Sequence, residues 1–589
     1  MRLLTCLCLL GLFGLACGSD DDGGGKATTG GGGSSGSGGT STGGTSTGGS
    51  SASGGTTSGG GTAGTGGSGG GVISGECPTG IASDADIGQA LPAATPDTTY
   101  VPPTGKVTQL AAGGDLQAAL DAAAPGDEIR LAAGATFKGT FTLPKKTGDA
   151  WIVIRSDVPD SDLPPPGQRI DPSYAAKLAK IAVPDNVGSA ISAAAGAHHY
   201  RLLGLEISPE PNAFAFNVMD CGSSASSDAE LPHHIVIDRS WVHGDPAKGA
   251  RRGIALNCKD AAVIDSWFSD FKEQGADSQA IAGWGGPGPF KIVNNHLEGA
   301  GENVMFGGAD PKIANVVPSD ITICKNHIVK PAAWKALSWS EKNLFELKNA
   351  RRVLVAGNVL ENNWADAQVG FAIVLTPRNQ DGSAPWSTIE DLTIAQNVIR
   401  HTGSGLSMSG EDDNNPSQQQ QRVLIQNNLL EDVDKTAWGG DGRGFQIVSP
   451  NKPTVKVKID HNTLTHVDNA FLVMGDTGAV GQETRFTNNL VPKGDYGAFG
   501  SGKGEGNSAF AFYLPGVVFQ KNVIIGGTAA SYPADNFFPA QTTDVGFANF
   551  AGGDYSLTAA SAYKGKASDG KDPGADFAML ATAIAGVAP

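Results

Sequence analysis

The sequence predicts an all-β solenoid: a right-handed, single-stranded parallel β-helix with an N-terminal capping helix, preceded by a signal peptide and a disordered linker. Three observations carry that expectation. A motif of alternating aliphatics, a polar pair ending in Asn and another aliphatic recurs along the chain, as in Lys291-Ile292-Val293-Asn294-Asn295-His296-Leu297. Its copies place Asn326, Asn358, Asn397, Asn428, Asn462, Asn489 and Asn522 at one point, with Ser240 and Ser266 there in two earlier copies, at intervals of 26 to 39 residues. Each unit also holds a second short strand, at 253–257, 303–306, 344–348, 371–376, 444–448 and 470–474. Strands this short cannot bury an inner face alone, but they can when stacked coil on coil. A propeller would require four antiparallel strands per unit, more than the two or three present, and right-handed winding follows from the handedness of parallel connections.

Taken in chain order, residues 1–16 carry one Arg and an apolar run too short to span a bilayer, which reads as a signal peptide. The segment resembles a bacterial lipoprotein signal, which implies lipidation of Cys17, a membrane contact made only through that anchor, and an outer-membrane or cell-surface location; otherwise the chain is secreted. Within 23–75, 26 of 53 residues are glycine and nearly all the rest are Ser or Thr, so 17–75 is a disordered tether spanning on the order of 40 Å. The β-helix domain is expected over 76–552 and a C-terminal cap over 553–589. Leu116, Ala119, Leu120 and Ala123 have helical spacing after Asp115, and Pro125-Gly126-Asp127 ends that helix before the strand 128–131. Residues 576–584 read as a closing helix for the far end. Each repeated Asn is expected to bond the copies above and below, which makes Asp460-His461-Asn462 a ladder position before it is a catalytic pair.

Composition narrows the partners. With 59 acidic against 42 basic residues the net charge is −17, which disfavours nucleic acid. A hydrophobic content of 40% with 23 Phe and 9 Trp excludes disorder throughout. Once the signal and Cys17 are set aside, Cys77, Cys221, Cys258 and Cys324 remain, with no zinc-type spacing. If the segments around Cys221 and Cys258 stack, those two are neighbours and can be bonded. A monomer is expected.

Stacked coils set equivalent outward residues about 4.8 Å apart, so a stripe of them forms a groove suited to a polymer. Most outward positions are bland. On 344–348, alternation sends Phe345 and Leu347 inward and Glu346 and Lys348 outward. The next coil ends in Arg378-Asn379, the one after in Glu411-Asp412-Asp413, and the one before offers Glu302, Asn303 and Asp310. Such a stripe suits β-elimination on a uronic-acid polymer, which needs a base, a proton donor for the leaving oxygen and a cation for the enolate-like charge. A lysine serves as base if a neighbouring cation lowers its pKa, and calcium held by carboxylate and amide oxygens can neutralise the substrate carboxylate. Arg351 and Asn379 are candidate contacts to sugar carboxylates and hydroxyls. Trp284 and Trp386 are candidate stacking platforms.

The stretch Glu341-Lys342-Asn343-Leu344-Phe345-Glu346-Leu347-Lys348-Asn349, with Asn358-Val359-Leu360 and residues 371–378, is similar to the active-site region of the polysaccharide lyase family containing chondroitinase B and alginate lyases. The opening helix likewise resembles the cap of secreted β-helix lyases with the pectin lyase fold. The family resemblance implies Lys348 as base, Arg378 as acid and Glu341 as a calcium ligand, with Asn343 in place of a second acidic ligand. Asn303, one coil earlier, completes the expected metal set, and Glu346 is placed with the catalytic pair. The implied function is lysis of extracellular acidic polysaccharide. The alternatives are a non-catalytic glycan-binding or adhesin-like surface protein, or a β-helix glycoside hydrolase, whose carboxylate spacing a sequence does not give.

Overall fold

The computed structural model describes residues 76–449, 451–475 and 478–588. The expected signal peptide, Cys17 and tether therefore lie outside the described residues. Among those residues the chain winds through three long sheets of fifteen, thirteen and thirteen strands, each coil giving a strand to each sheet. Neighbouring strands are parallel and one coil apart, except that Gly504–Glu505 ends the second sheet by pairing antiparallel with Ala498–Gly500. In the second sheet Val304, Phe345, Ile373, Leu406, Phe445 and Leu472 stand in one row. Such rows build a single apolar core from Leu116 at one end to Tyr532 at the other.

The opening helix, Leu116–Ala122, forms where the apolar spacing placed it. The Asp115 carboxylate accepts a bond from the Ala118 N–H at 2.9 Å, capping the first turn, and Leu116 and Leu120 close the first coil.

The asparagine ladder is continuous. The backbone N–H and side-chain amide of Asn295 both donate to Asn326 Oδ1, at 2.9 and 3.0 Å, and the pattern repeats through Asn358, Asn397, Asn428, Asn462, Asn489, Asn522 and Asn536. Ser240 and Ser266 extend it to earlier coils. Before each rung the chain turns through a left-handed residue, such as Asn294 (φ 58°), Lys325 (φ 55°) or Asn427 (φ 54°), which explains the polar pair in the motif. His461 is one of these turn residues. Asp460 accepts bonds from Thr487 and Asn488 as well as facing His461, so this pair fastens the turn.

The two termini depart from expectation. The helix Phe577–Ile584 does not close the solenoid. It lies along the outside of the third sheet, where Leu580, Tyr555 and Val587 cover Val359, Val398 and Leu429. That outer row is apolar and needs a cover; the far end is instead closed by Phe510 and Tyr513 of the helix Asn507–Tyr513 with Tyr532 and Phe538. The segment 76–105 straps the outside of the first sheet. Lys458 binds Asp84 at 2.7 Å, the Ala93 N–H donates to Asp320 at 2.8 Å, and Arg201 donates to the Thr98 carbonyl at 3.0 Å. Cys221 and Cys258 are bonded, and a second disulfide joins Cys77 to Cys324, with Cα atoms 5.4 and 5.2 Å apart.

Candidate active site

The strand Asn343–Leu347 sends Leu344, Phe345 and Leu347 into the core. Two consecutive inward residues break strict alternation, so Asn343 and Glu346, three apart, share the outer side. Glu302 and Met305 lie beside them on the preceding coil. The same spacing brings Asn217 to Asp220, at 3.2 Å, on an earlier coil.

Five ionisable groups meet at this point: Asp277, Glu302, Lys342, Glu346 and Lys348. Lys348 Nζ lies 3.8 Å from Glu346, while Lys342 Nζ lies 3.7 Å from Glu302 and pairs with Asp277. Gln279 donates to Glu302 at 2.7 Å, Arg252 donates to Gln279 at 2.9 Å, and the Arg252 guanidinium lies 5.3 Å from the centre of the Trp284 ring. Glu302 and Glu346 are sealed beneath, whereas the two lysine side chains, at 15% exposure each, and Asp277, at 21%, are within reach of a solute.

Burial and shared charge sort the protons. Burial pushes the Glu346 carboxyl up to about 8, with Lys348 pulling it down and Glu302 adding to the rise. Glu302 stays low because Lys342, Lys348 and Gln279 outweigh its burial. For Lys348, burial alone would lower the pKa, but Glu346, Glu302 and Asp277 raise it above its ordinary value. The expected depression of the lysine base is therefore absent in the free protein: carboxylates, not cations, are its nearest neighbours.

The expected calcium ligands are held differently. Glu341 lies 3.6 Å from the fully buried ammonium of Lys330, and Asn303 Oδ1 lies 3.3 Å from it. The carbonyls of Gly299, Ala300 and Gly301 accept from the same ammonium at 2.7, 2.6 and 3.1 Å. Lys330 thus fills the centre that Glu341 and Asn303 surround, and its shell of oxygens is complete. The third residue, Asn343, donates to the Phe371 carbonyl. Calcium does not fit this set.

Other expected residues are also engaged. Arg378 follows on the next coil, its N–H donating to the Lys348 carbonyl at 2.7 Å, but its guanidinium binds Asp412, at 2.9 Å, and Asp413. Asn379 is buried and bonded on every side, to Asp412, Pro416 and Ala384, so it orders a loop and cannot reach a sugar. Arg351 belongs to the first sheet and pairs with Glu390 at 2.5 Å, away from the cluster. Trp386 donates to the Val316 carbonyl at 3.0 Å, while Trp284 stands over Arg252 on the cluster's own side. Sequence reasoning missed Asp277, Lys342 and Lys330. Lys342 stands between two expected ligands, and only the pairing of coils reveals its partners.

The class that this fold defines is the pectate-lyase-like parallel β-helix. Among solved structures, the chain is similar to a mannuronic-acid-specific polysaccharide family 6 lyase from the human gut microbiota, at 13% identity over 74% of this chain and 83% of that one, with a TM-score of 0.38. A PL6 alginate lyase in complex with a trisaccharide gives 12% identity over 77% and 91%, with a TM-score of 0.43, and a pectate lyase gives 12% over 80% and 96%, with a TM-score of 0.27. No family model and no curated protein matches the chain.

Proposed function

We propose that this protein is an exported lyase that cleaves an extracellular acidic polysaccharide by β-elimination, with Lys348 and Glu346 as the reacting pair. The observation that supports the reading is the cluster of Glu346, Lys348, Lys342 and Glu302 on the second sheet, in which the carboxylates of Glu346 and Glu302 are buried and both ammonium groups remain within reach of solvent. Glu346 carries the more basic carboxylate of the pair with Glu302, since its pKa is pushed up to about 8 while that of Glu302 is lowered. In the active form Glu346 is ionised and Lys348 charged. Lys348 passes a proton to Glu346, the freed amine takes the proton next to the sugar carboxylate, and that C–H electron pair becomes the new double bond as the glycosidic C–O bond breaks. The leaving oxygen takes the proton from the recharged Lys348, which then recovers its own from Glu346, so both groups are restored. Lys342 adds positive charge against the developing enolate. Arg378 orders the loop through Asp412 and Asp413, a positioning role, and no step passes through a metal.

The test is incubation with polymannuronate, polyguluronate, polygalacturonate and dermatan sulfate, following absorbance of the unsaturated product with and without chelator. Product is expected from at least one polymer, undiminished by chelator and abolished by Lys348→Ala. Absence of product from every polymer overturns the reading and favours a glycan-binding protein.

A further inference from the structure

On two successive coils of the first sheet, the strands His198–Leu203 and His233–Asp238 begin with paired histidines. A β-strand would send adjacent side chains to opposite faces. Here His199 and His234 take left-handed backbone conformations, φ 58° and 53°, which turn both rings of each pair to the outside. The result is a block of four half-buried imidazoles. His198 Nδ1 lies 2.8 Å from His199 Nδ1, and His233 Nδ1 lies 2.8 Å from His234 Nδ1. Rings stack between coils, His198 on His233 with centres 4.7 Å apart and His199 on His234 at 4.4 Å.

We propose that His198, His199 and His233 form a site for one divalent transition-metal ion, Cu(II) or Ni(II). Their ligand nitrogens lie within 4.8 Å of one another. His198 Nε2 lies 3.1 Å from the Lys146 carbonyl, an acceptor only, so Nε2 carries the proton and Nδ1 presents its lone pair. That carbonyl is the kind of partner that orients a metal-binding histidine. The His198–His199 pair favours one geometry: two bonds of about 2.0 Å at a right angle span about 2.8 Å, the separation of their Nδ1 atoms, whereas tetrahedral bonds of that length span about 3.3 Å. Right-angled nitrogen ligands suit Cu(II) and Ni(II), with zinc disfavoured. Burial and the neighbouring imidazoles hold His199 and His233 down near 4, which keeps them uncharged at neutral pH. The site lies on a different sheet from the Lys348 cluster and is independent of the lyase reading.

The test uses the full chain without a polyhistidine tag, stripped of metal and titrated with Cu(II), Ni(II) or Zn(II). Trp151, whose ring centre is 5.2 Å from that of His199, supplies a fluorescence readout, and electron paramagnetic resonance of Cu(II) reports nitrogen ligands. We expect one equivalent of Cu(II), quenching that Trp151→Phe removes, and affinity at least about tenfold weaker in His199→Asn and His233→Gln. Asn tolerates the left-handed backbone at 199, so that variant keeps the fold, which circular dichroism checks. His466→Ala, in the separate group of Asp434, His466 and Asp468, serves as control and leaves binding unchanged. Tighter binding of Zn(II) than of Cu(II), or wild-type affinity in His199→Asn, overturns the proposal and leaves the block as a stacking ladder.

Discussion

Glu346 couples acidity to both stability and the proposed reaction. An unfolded glutamate titrates near 4.5 and the folded one near 8, so between those values the folded chain holds the extra proton and stability falls as pH rises. Glu346→Gln removes that decline: melting temperature at pH 8.5 is expected to exceed that of the native chain, while turnover is lost. Native activity is expected to rise with pH through about 8, because the reacting form needs the Glu346 carboxylate; a profile flat from pH 6 to 9 contradicts the role. Lys330 makes a second case. Lys330→Met leaves the buried carboxylate of Glu341 and three carbonyls without their cation, a loss of about 3–5 kcal/mol in chemical denaturation. Adding Glu341→Met to that variant is expected to recover part of the loss.

At the scale of strands and turns, the ladder is both the most legible feature and the most testable. Asn397→Ala strips the acceptor from the Asn358 N–H and side-chain amide, deep in the wall, at an expected cost of about 1–3 kcal/mol in denaturant unfolding. Repetition made this ladder readable: each copy names the same position, and the structure pairs the residues in that order. The outward placement of Glu346 and Lys348 was readable from alternation along 344–348. What strand patterns could not convey is which charges meet across coils. Glu341 looked like a metal ligand because its partner, Lys330, comes from the turn that follows a strand of another sheet, and Arg378 looked available because Asp412 and Asp413 lie one coil on. Likewise Leu344 and Phe345 both point inward, an irregularity that period-two alternation does not contain.

For the whole molecule, the arrangement of the straps decides which wall can do chemistry. The N-terminal segment covers the first sheet and the C-terminal segment the third, while among the described residues no terminal segment lies over the second, where the Lys348 cluster sits. Ending the chain at residue 540 is expected to bare Val359, Val398 and Leu429, seen as binding of a hydrophobic dye and a lower melting temperature with the coils still formed. The composition could not show that the C-terminal helix covers a side and not an end, because an apolar helix face fits either. The Cys77–Cys324 bond also fixes where tension enters the molecule. Any pull on the chain upstream of residue 76 arrives at the flank of one central coil, across the long axis, and is carried by a covalent bond before it reaches residues 78–105. In a single-molecule stretching experiment the oxidised protein should therefore resist as a block, whereas under reductant the N-terminal segment should peel away first, rung by rung, as a low-force step preceding rupture of the coils.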